Sequence, residues 1–388
     1  MIKIEKNNCC GCSSCASICP VSCITMIPDE EGFLYPEVIA EKCINCGLCK
    51  SVCPFINTKR SDIKATYAFK AFDNNLRKNS SSGAVFSLLA GECISNNGIV
   101  CGVVLSDDCK YAFFTTVDNY EDLAALRGSK YLQADLNNIY IKVKEYLDIG
   151  KIVLFTGTPC QINGLKLFLK YDYENLLCAD IICHGVPSAS LWRNYITYLE
   201  NNLNVKINGY NFRNKQNGWK KYKAAIKCNT SQTIYIDRNN DRFMYMFLHD
   251  YCLRPSCYNC KAKCNNMSDI TMGDFWGIHV IHPDIDDDKG TSLVIIRTEK
   301  GLRLFNDIKE KGDHLLVDYK VATKYNTAEY KSVNKPRKRN NFYKDLNIYS
   351  FDKFINKYGV ETLDTKIKKS INNVKYYFIK LISLIFRR

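Results

Sequence analysis

The chain has 388 residues, 46% of them hydrophobic, and carries a formal charge of +14 from 54 Lys and Arg against 40 Asp and Glu. That length exceeds one ordinary domain, and the composition is that of a folded globular protein, not a disordered or low-complexity one. Its 21 cysteines follow an N-terminus, Met1-Ile2-Lys3-Ile4-Glu5-Lys6, with no apolar signal region, so no signal peptide and a reducing, cytoplasmic setting are expected.

Eight cysteines come first, in two copies of one spacing. One copy is Cys9-x2-Cys12-x2-Cys15-x3-Cys19 before Pro20; the other is Cys43-x2-Cys46-x2-Cys49-x3-Cys53 before Pro54. In the two-cluster ferredoxin pattern three close thiolates wrap one iron–sulfur cube and the fourth ligates the other. Cys9, Cys12, Cys15 and Cys53 are therefore expected to hold one 4Fe-4S cluster, and Cys43, Cys46, Cys49 and Cys19 a second. Two-residue gaps aim successive sulfurs at one cube, and the longer step carries the chain to its neighbour. Zinc sites also use two-residue gaps, but their ligands come as separated pairs rather than runs of four.

Residues 1–57 are thus expected to form an α+β ferredoxin-like module, followed by a polar linker over 58–66. A larger mixed α/β domain is expected over 67–335. Within it, residues 98–105 and 110–117 read as strands, 132–148 as a helix, 151–155 as a strand and 160–170 as a helix. Residues 176–183 form the next strand, His184-Gly185-Val186-Pro187 a turn, and Ser188 the N-cap of a further helix. Strand, turn and helix in repetition imply parallel βα units.

The charge is unevenly spread. Residues 1–57 hold four Lys against six acids, whereas residues 320–388 hold seventeen Lys and Arg against five. Residues 336–388 read as a basic C-terminal helical tail. Its apolar end, from Tyr376 to Arg388, is too short and interrupted to span a bilayer. It suits either peripheral contact with an anionic membrane at the inner face or packing on the body, and both are better readings than a nucleic-acid partner.

Chemistry in the large domain has four candidate sites. Ser80-Ser81-Ser82-Gly83 opens an apolar helix, where free N–H groups and the helix dipole suit a phosphate, or simply an N-cap. Gly128-Ser129-Lys130-Tyr131 is an exposed turn. Cys160 and Cys183 each follow a strand, at the edge where open parallel sheets gather ligands. Cys252, Cys257, Cys260 and Cys264 lie within thirteen residues. All four suit a third cluster or a zinc knuckle, and Cys257 with Cys260 equally suit a site shared with Cys160 and Cys183. Cys10, Cys23, Cys93, Cys101, Cys109, Cys178 and Cys228 stand alone and read as structural.

Six segments in this order resemble the coenzyme F420 hydrogenase/dehydrogenase beta subunit family. They are residues 80–86, 128–133, 156–161, 183–188, Cys257-Tyr258-Asn259-Cys260, and 268–277 with its Gly273-Asp274-Phe275-Trp276-Gly277. The resemblance implies an FAD-containing iron–sulfur oxidoreductase. It implies that Ser81, Ser82, Gly83, Ser129, Lys130 and Tyr131 hold the flavin, and that the body carries its own cluster. Cys160, Cys183, Cys257 and Cys260 are the ligands inferred for that cluster. Lys130 is expected to stabilise reduced flavin, and His184 is the one histidine expected to serve chemistry. The segments Phe212-Arg213-x-Lys215-x2-Gly218-Trp219 and Asp274-Phe275-Trp276-Gly277 depart from the better-known members. Such variants resemble proteins of bacterial surface-polysaccharide genes, which puts a deazaflavin substrate in question. The expected function is electron passage between the clusters and FAD, reducing or oxidising an organic substrate and served by a ferredoxin or other redox partner. The alternatives are a carrier module for a partner enzyme and a structural zinc protein.

Overall fold

The computed structural model describes residues 1–57 and 62–360. Part of the expected linker (58–61) and the terminal run 361–388 lie outside the described residues.

The N-terminal module is short turns around one hairpin. Ser13 and Gly47 take left-handed backbone angles and launch the four-residue helices Ser14–Ser17 and Leu48–Ser51, which swing Cys15 and Cys49 inward. Between these helices, β1 (Ile24–Pro28) pairs antiparallel with β2 (Leu34–Val38). The Asp29 carboxylate closes the connection by accepting the N–H groups of Glu31 and Phe33.

The body is built on eight strands. They are β3 (Ala65–Ala71), β4 (Ile99–Leu105), β5 (Ala112–Val117), β6 (Val153–Gly157), β7 (Leu176–Ile181), β11 (Ile270–Asp274), β12 (Ser292–Ile296) and β13 (Gly312–Leu316). Their order is β13-β3-β12-β11-β7-β6-β4-β5. The four at the centre, β11, β7, β6 and β4, are parallel, as the repeated strand–turn–helix pattern predicts. Both flanks join antiparallel, so the sheet is mixed.

Helices cover both faces. Leu154 packs with Val100, Ala179 and Val294 under the helices Val85–Ser95 and Glu299–Lys309. Val153 and Phe155 face the other way, into a core with Val143, Ile162, Leu165 and Trp192 from the helices Ile139–Asp148, Pro159–Leu169 and Ala189–Leu203. A strand buried on both faces reads as an unbroken apolar run, as Val153-Leu154-Phe155 does. Three further strands, β8 (Ile207–Asn214), β9 (Lys223–Cys228) and β10 (Thr233–Asp237), form a separate antiparallel sheet that the sequence reading did not anticipate.

Two expectations shift. The helix expected over 132–148 begins only at Ile139. Asp135 is instead laid along β5, exchanging backbone hydrogen bonds with Phe114 and Ala112 at 2.9 and 2.8 Å, while the N–H of Gln133 reaches the carbonyl of Pro187. The expected tail boundary at 336 also falls inside packed structure. Helices Arg339–Ile348 and Phe351–Tyr358 bury Phe342, Tyr343, Phe354, Ile355 and Tyr358 in the main core. The apolar end of the tail lies outside the described residues. Among the described residues, no helix is long and apolar enough to cross a membrane.

Candidate redox site

The eight N-terminal cysteines fall into two groups of four. Cys15 lies within electrostatic reach of Cys12, Cys9 and Cys53. Cys19, Cys43, Cys46 and Cys49 line one small cavity together with Cys23. The two groups differ in exposure. Cys9, Cys12, Cys15 and Cys53 are 7–8% exposed; in the second group Cys49 is as deeply buried, Cys19 and Cys43 are half-buried, and Cys46 is open to solvent beside Ile44, itself 61% exposed. The first group is inner and the second outer.

The inner group rests on the body. Gly164, in the helix Pro159–Leu169, makes room for it: a Cβ there would stand 2.5 Å from Ser14 Oγ and 3.0 Å from Cys12 Cβ. At the start of that helix Pro159 occupies its first turn, and Gln161 Oε1 accepts the N–H of Thr158 at 2.8 Å in a capping box. This cap sets Cys160 at the strand-end edge, next to the inner group.

Cys160 meets the other three body cysteines there. Cys183 is within electrostatic reach of Cys257, Cys160 and Cys260. The loop after β7 is tied to the cysteine-rich loop by a bridge between Pro187 and Leu253 and by the Arg254 N–H on the Val186 carbonyl at 2.9 Å. Gly185 (φ +154°) permits the approach, since a Cβ would come 2.8 Å from Leu253 Cδ1 and 3.3 Å from Cys257 Cβ. Cys252 is fully buried in the apolar core and Cys264 is exposed, so the geometry sets both apart from the cysteines at the strand-end edge. Among the described residues, no three or more His, Cys, Asp or Glu side chains close on one point as a single metal ion demands. Four cysteines at one sheet edge supply the ligand number of a 4Fe-4S cluster, as they do of a zinc ion.

Cys10 and Cys23, read as structural, lie among the ligand candidates. The Cys10 thiol lies within electrostatic reach of both Cys12 and Cys160. The neighbouring Cys10 thiol, then Ser14 Oγ at 3.2 Å, lowers the Cys12 pKa to about 6. Cys160 is lowered likewise by Cys10, with Thr158 Oγ1 at 3.2 Å. Burial instead pushes Cys183 up and Cys257 to about 12; the charge of bound iron opposes such a shift by favouring thiolate. Cys23 Sγ sits 3.4 Å from Cys19 Sγ and lines the same cavity as Cys43.

The residues expected at the flavin share the same edge of the sheet but are differently employed. Ser81 Oγ and Ser129 Oγ stand 3.2 Å apart, joining the two motifs. Ser82 donates to the Thr291 carbonyl, and the Gly83 N–H donates to Ser292 Oγ at 2.9 Å. The expected phosphate cradle is therefore largely spent on β12. Lys130 Nζ caps the carbonyls of Ala125, Leu126 and Arg127 at 3.0, 3.0 and 2.9 Å, and desolvation lowers its pKa to about 7. Its donors are used on its own loop, not turned to a ligand. Tyr131 is half-buried between the rings of Phe212 and Phe247. His184 Nε2 is 2.6 Å from Asp250 Oδ1, and its ring meets Phe247 edge-on.

The two departing segments meet here as well. Arg213 pairs with Asp274 and lies over the rings of Tyr222 and Trp276; Trp219 donates to Asp274 at 3.0 Å and stacks on Trp276. Lys215 Nζ reaches the Ser82 carbonyl at 3.1 Å, closing the β8–β9 loop over the serine turn. The segment 268–271 forms a buried polar network instead: Asp180 accepts from Asn266 at 2.6 Å and Ser268 at 2.7 Å, and Arg297 donates to Thr271 at 2.8 Å.

Two groups of cysteines in the N-terminal module, with four more at the strand ends, suit an iron–sulfur oxidoreductase or electron-transfer protein. Residues 150–320 match the family described as the C terminus of the coenzyme F420 hydrogenase/dehydrogenase beta subunit, and residues 8–57 match the 4Fe-4S dicluster domain. Over those residues the chain is similar to the former family in its body and to the latter domain at its N-terminus. A coenzyme F420-dependent sulfite reductase of Methanocaldococcus jannaschii is 24% identical over 345 residues, covering 88% of this chain and 52% of that protein. The chain thus spans about half the length of that curated relative. A chain of the F420-reducing NiFe hydrogenase complex from Methanosarcina barkeri aligns with TM-score 0.47 and 14% identity, over 71% of this chain and 97% of that one.

Proposed function

We propose that this protein is a flavin- and iron–sulfur-dependent oxidoreductase in which electrons pass between the outer cysteine group, the inner group and an organic cofactor at the strand-end edge. The observation that carries the reading is the meeting of Cys160, Cys183, Cys257 and Cys260 beside the inner group. When bound, 4Fe-4S clusters carry single electrons, which a flavin can collect for a two-electron exchange with substrate.

The chain's own residues have distinct parts. Cys9, Cys12, Cys15 and Cys53 exclude water from the inner centre, while Cys46 leaves the outer one within reach of a redox partner protein. FAD is the cofactor proposed, with Ser81, Ser129 and Tyr131 to hold it and His184, held by Asp250, as the histidine to serve its chemistry. Its phosphate end has to be held elsewhere than at Gly83, whose N–H is taken. No residue here singles out a saccharide, so the substrate class is an organic two-electron donor or acceptor. The F420 named for the relatives is the rival cofactor.

The test is anaerobic purification with iron and sulfide analysis, then acid extraction and chromatography of the supernatant. FAD with three clusters is expected; a deazaflavin in its place replaces FAD and keeps the reading's electron path. Cys12→Ser should remove the iron of the inner centre and Cys183→Ser that of the body centre, one at a time. Loaded clusters with no organic cofactor after reconstitution would turn the assignment to a carrier module for a partner enzyme.

A further inference from the structure

Arg254 is 0% exposed, yet its guanidinium crosses from the body into the N-terminal module. Nε donates to the Cys9 carbonyl at 2.7 Å, Nη2 to the Leu34 carbonyl at 2.8 Å and to Cys9 Sγ at 3.7 Å, and Nη1 to Gln133 Oε1 at 2.9 Å. The rings of Tyr35 and Phe33 cover it, 4.3 and 5.4 Å from Cζ. Gly11 (φ +69°) is shaped around the same group, since a Cβ there would stand 2.8 Å from Nη1.

None of these partners is a carboxylate. A desolvated cation with neutral partners alone costs several kcal/mol, so buried charges are paired. With a cluster bound, the negative charge at hand is that of its thiolate ligands, Cys9 among them.

We infer that Arg254 is the counter-ion of the cluster held by Cys9, Cys12, Cys15 and Cys53, and that it raises that cluster's reduction potential above that of the outer one. Adding one electron adds one negative charge to the cluster, with no bond made or broken, and a fixed cation donating to a ligand sulfur stabilises it. Electrons entering at the exposed outer cluster then collect at the inner one, next to Cys160. Arg254 is a positioning and tuning residue, three places before Cys257, so one side chain couples the module to the body centre. The inference rests on the cluster reading above. An iron-free wild-type protein would defeat that reading, whereas the experiment below compares iron-loaded proteins.

The whole chain, purified anaerobically, is titrated reductively by electron paramagnetic resonance, with the outer signal assigned by its loss in Cys46→Ser. In Arg254→Gln, reduction of the inner cluster should become at least tenfold less favourable, a fall of about 59 mV for one electron, while the outer cluster changes less than twofold. Arg254→Lys keeps a charge but cannot span the sulfur and both oxygens, and should show about a threefold loss. Either variant, fully loaded with iron and with its inner potential within twofold of wild type, overturns the inference. If neither retains the inner cluster, survival of the outer one supports the counter-ion role; loss of both clusters from both variants overturns it.

Discussion

At Gly83 even a methyl group has nowhere to go. A Cβ would stand 2.2 Å from the Phe69 carbonyl oxygen and 2.8 Å from the Ser292 nitrogen, both backbone atoms that no rotamer change can move. Gly83→Ala should therefore destabilise the protein by about 2 kcal/mol or more, read as a lower Tm in anaerobic melts. An unchanged Tm would mean that β3 or β12 gives way. This glycine looks like a phosphate cradle in sequence because a serine-rich turn at a helix start is common to both uses. Only its neighbours across 209 residues, Thr291 and Ser292, decide which. Lys130 teaches the same lesson: its charge was legible, but not that its own loop would take up the donors.

The helix Arg242–Leu248 shows how an element depends on one buried carboxyl. Asp241 caps it, accepting the Met244 N–H at 3.0 Å and standing 3.3 and 3.5 Å from the hydroxyls of Tyr195 and Tyr210. Burial raises its pKa from 3.8 to about 6. Between those values the folded protein retains a proton that the unfolded chain releases, so the contribution is full below the unfolded pKa and is lost as pH rises towards 6. The loss amounts to about 3 kcal/mol at most. Asp241→Asn keeps a good cap and removes the titration. Denaturant unfolding of the variant should thus have a less negative stability slope than wild type between pH 4 and 6, and matching slopes would refute the assignment. The sequence reading singled out neither this helix nor its cap, and the burial of Asp241 beneath β8 follows from tertiary packing.

At the scale of the whole molecule, the module and the body are held by side chains far apart in the chain. Arg339 forks onto Glu31, with Nη1 to Oε1 at 2.8 Å, and its Nε donates to the Leu253 carbonyl at 3.1 Å. Asn347 and Ser190 hold the carbonyls of Glu30 and Glu31, each at 3.0 Å. The pair is largely buried, so removing one partner strands a charge at a cost of about 3 kcal/mol. Arg339→Met should speed amide exchange around Gly32 and Phe33 without altering exchange in the central strands. Equal exchange in both proteins would show that docking rests on Arg254 and the apolar contacts instead.

What the sequence by itself determined were the local rules. The spacing of eight cysteines groups them because cluster ligation is set over three or four residues, and Val153-Leu154-Phe155 announces a strand buried on both faces. Ser188 announces its helix in the same way, by an N-cap whose hydroxyl accepts the Leu191 N–H. The tertiary structure alone decided which distant groups meet. The grouping of Cys160 and Cys183 with Cys257 and Cys260, one of the arrangements the sequence left open, is favoured by the fold because parallel strands end together and Gly185 lets two loops touch. Cys10 comes to lie near both Cys12 and Cys160 because Gly164 admits the module, and Arg254 becomes a buried cation because the fold closes over it. Such meetings depend on packing between segments separated by tens to hundreds of residues, which no local spacing encodes.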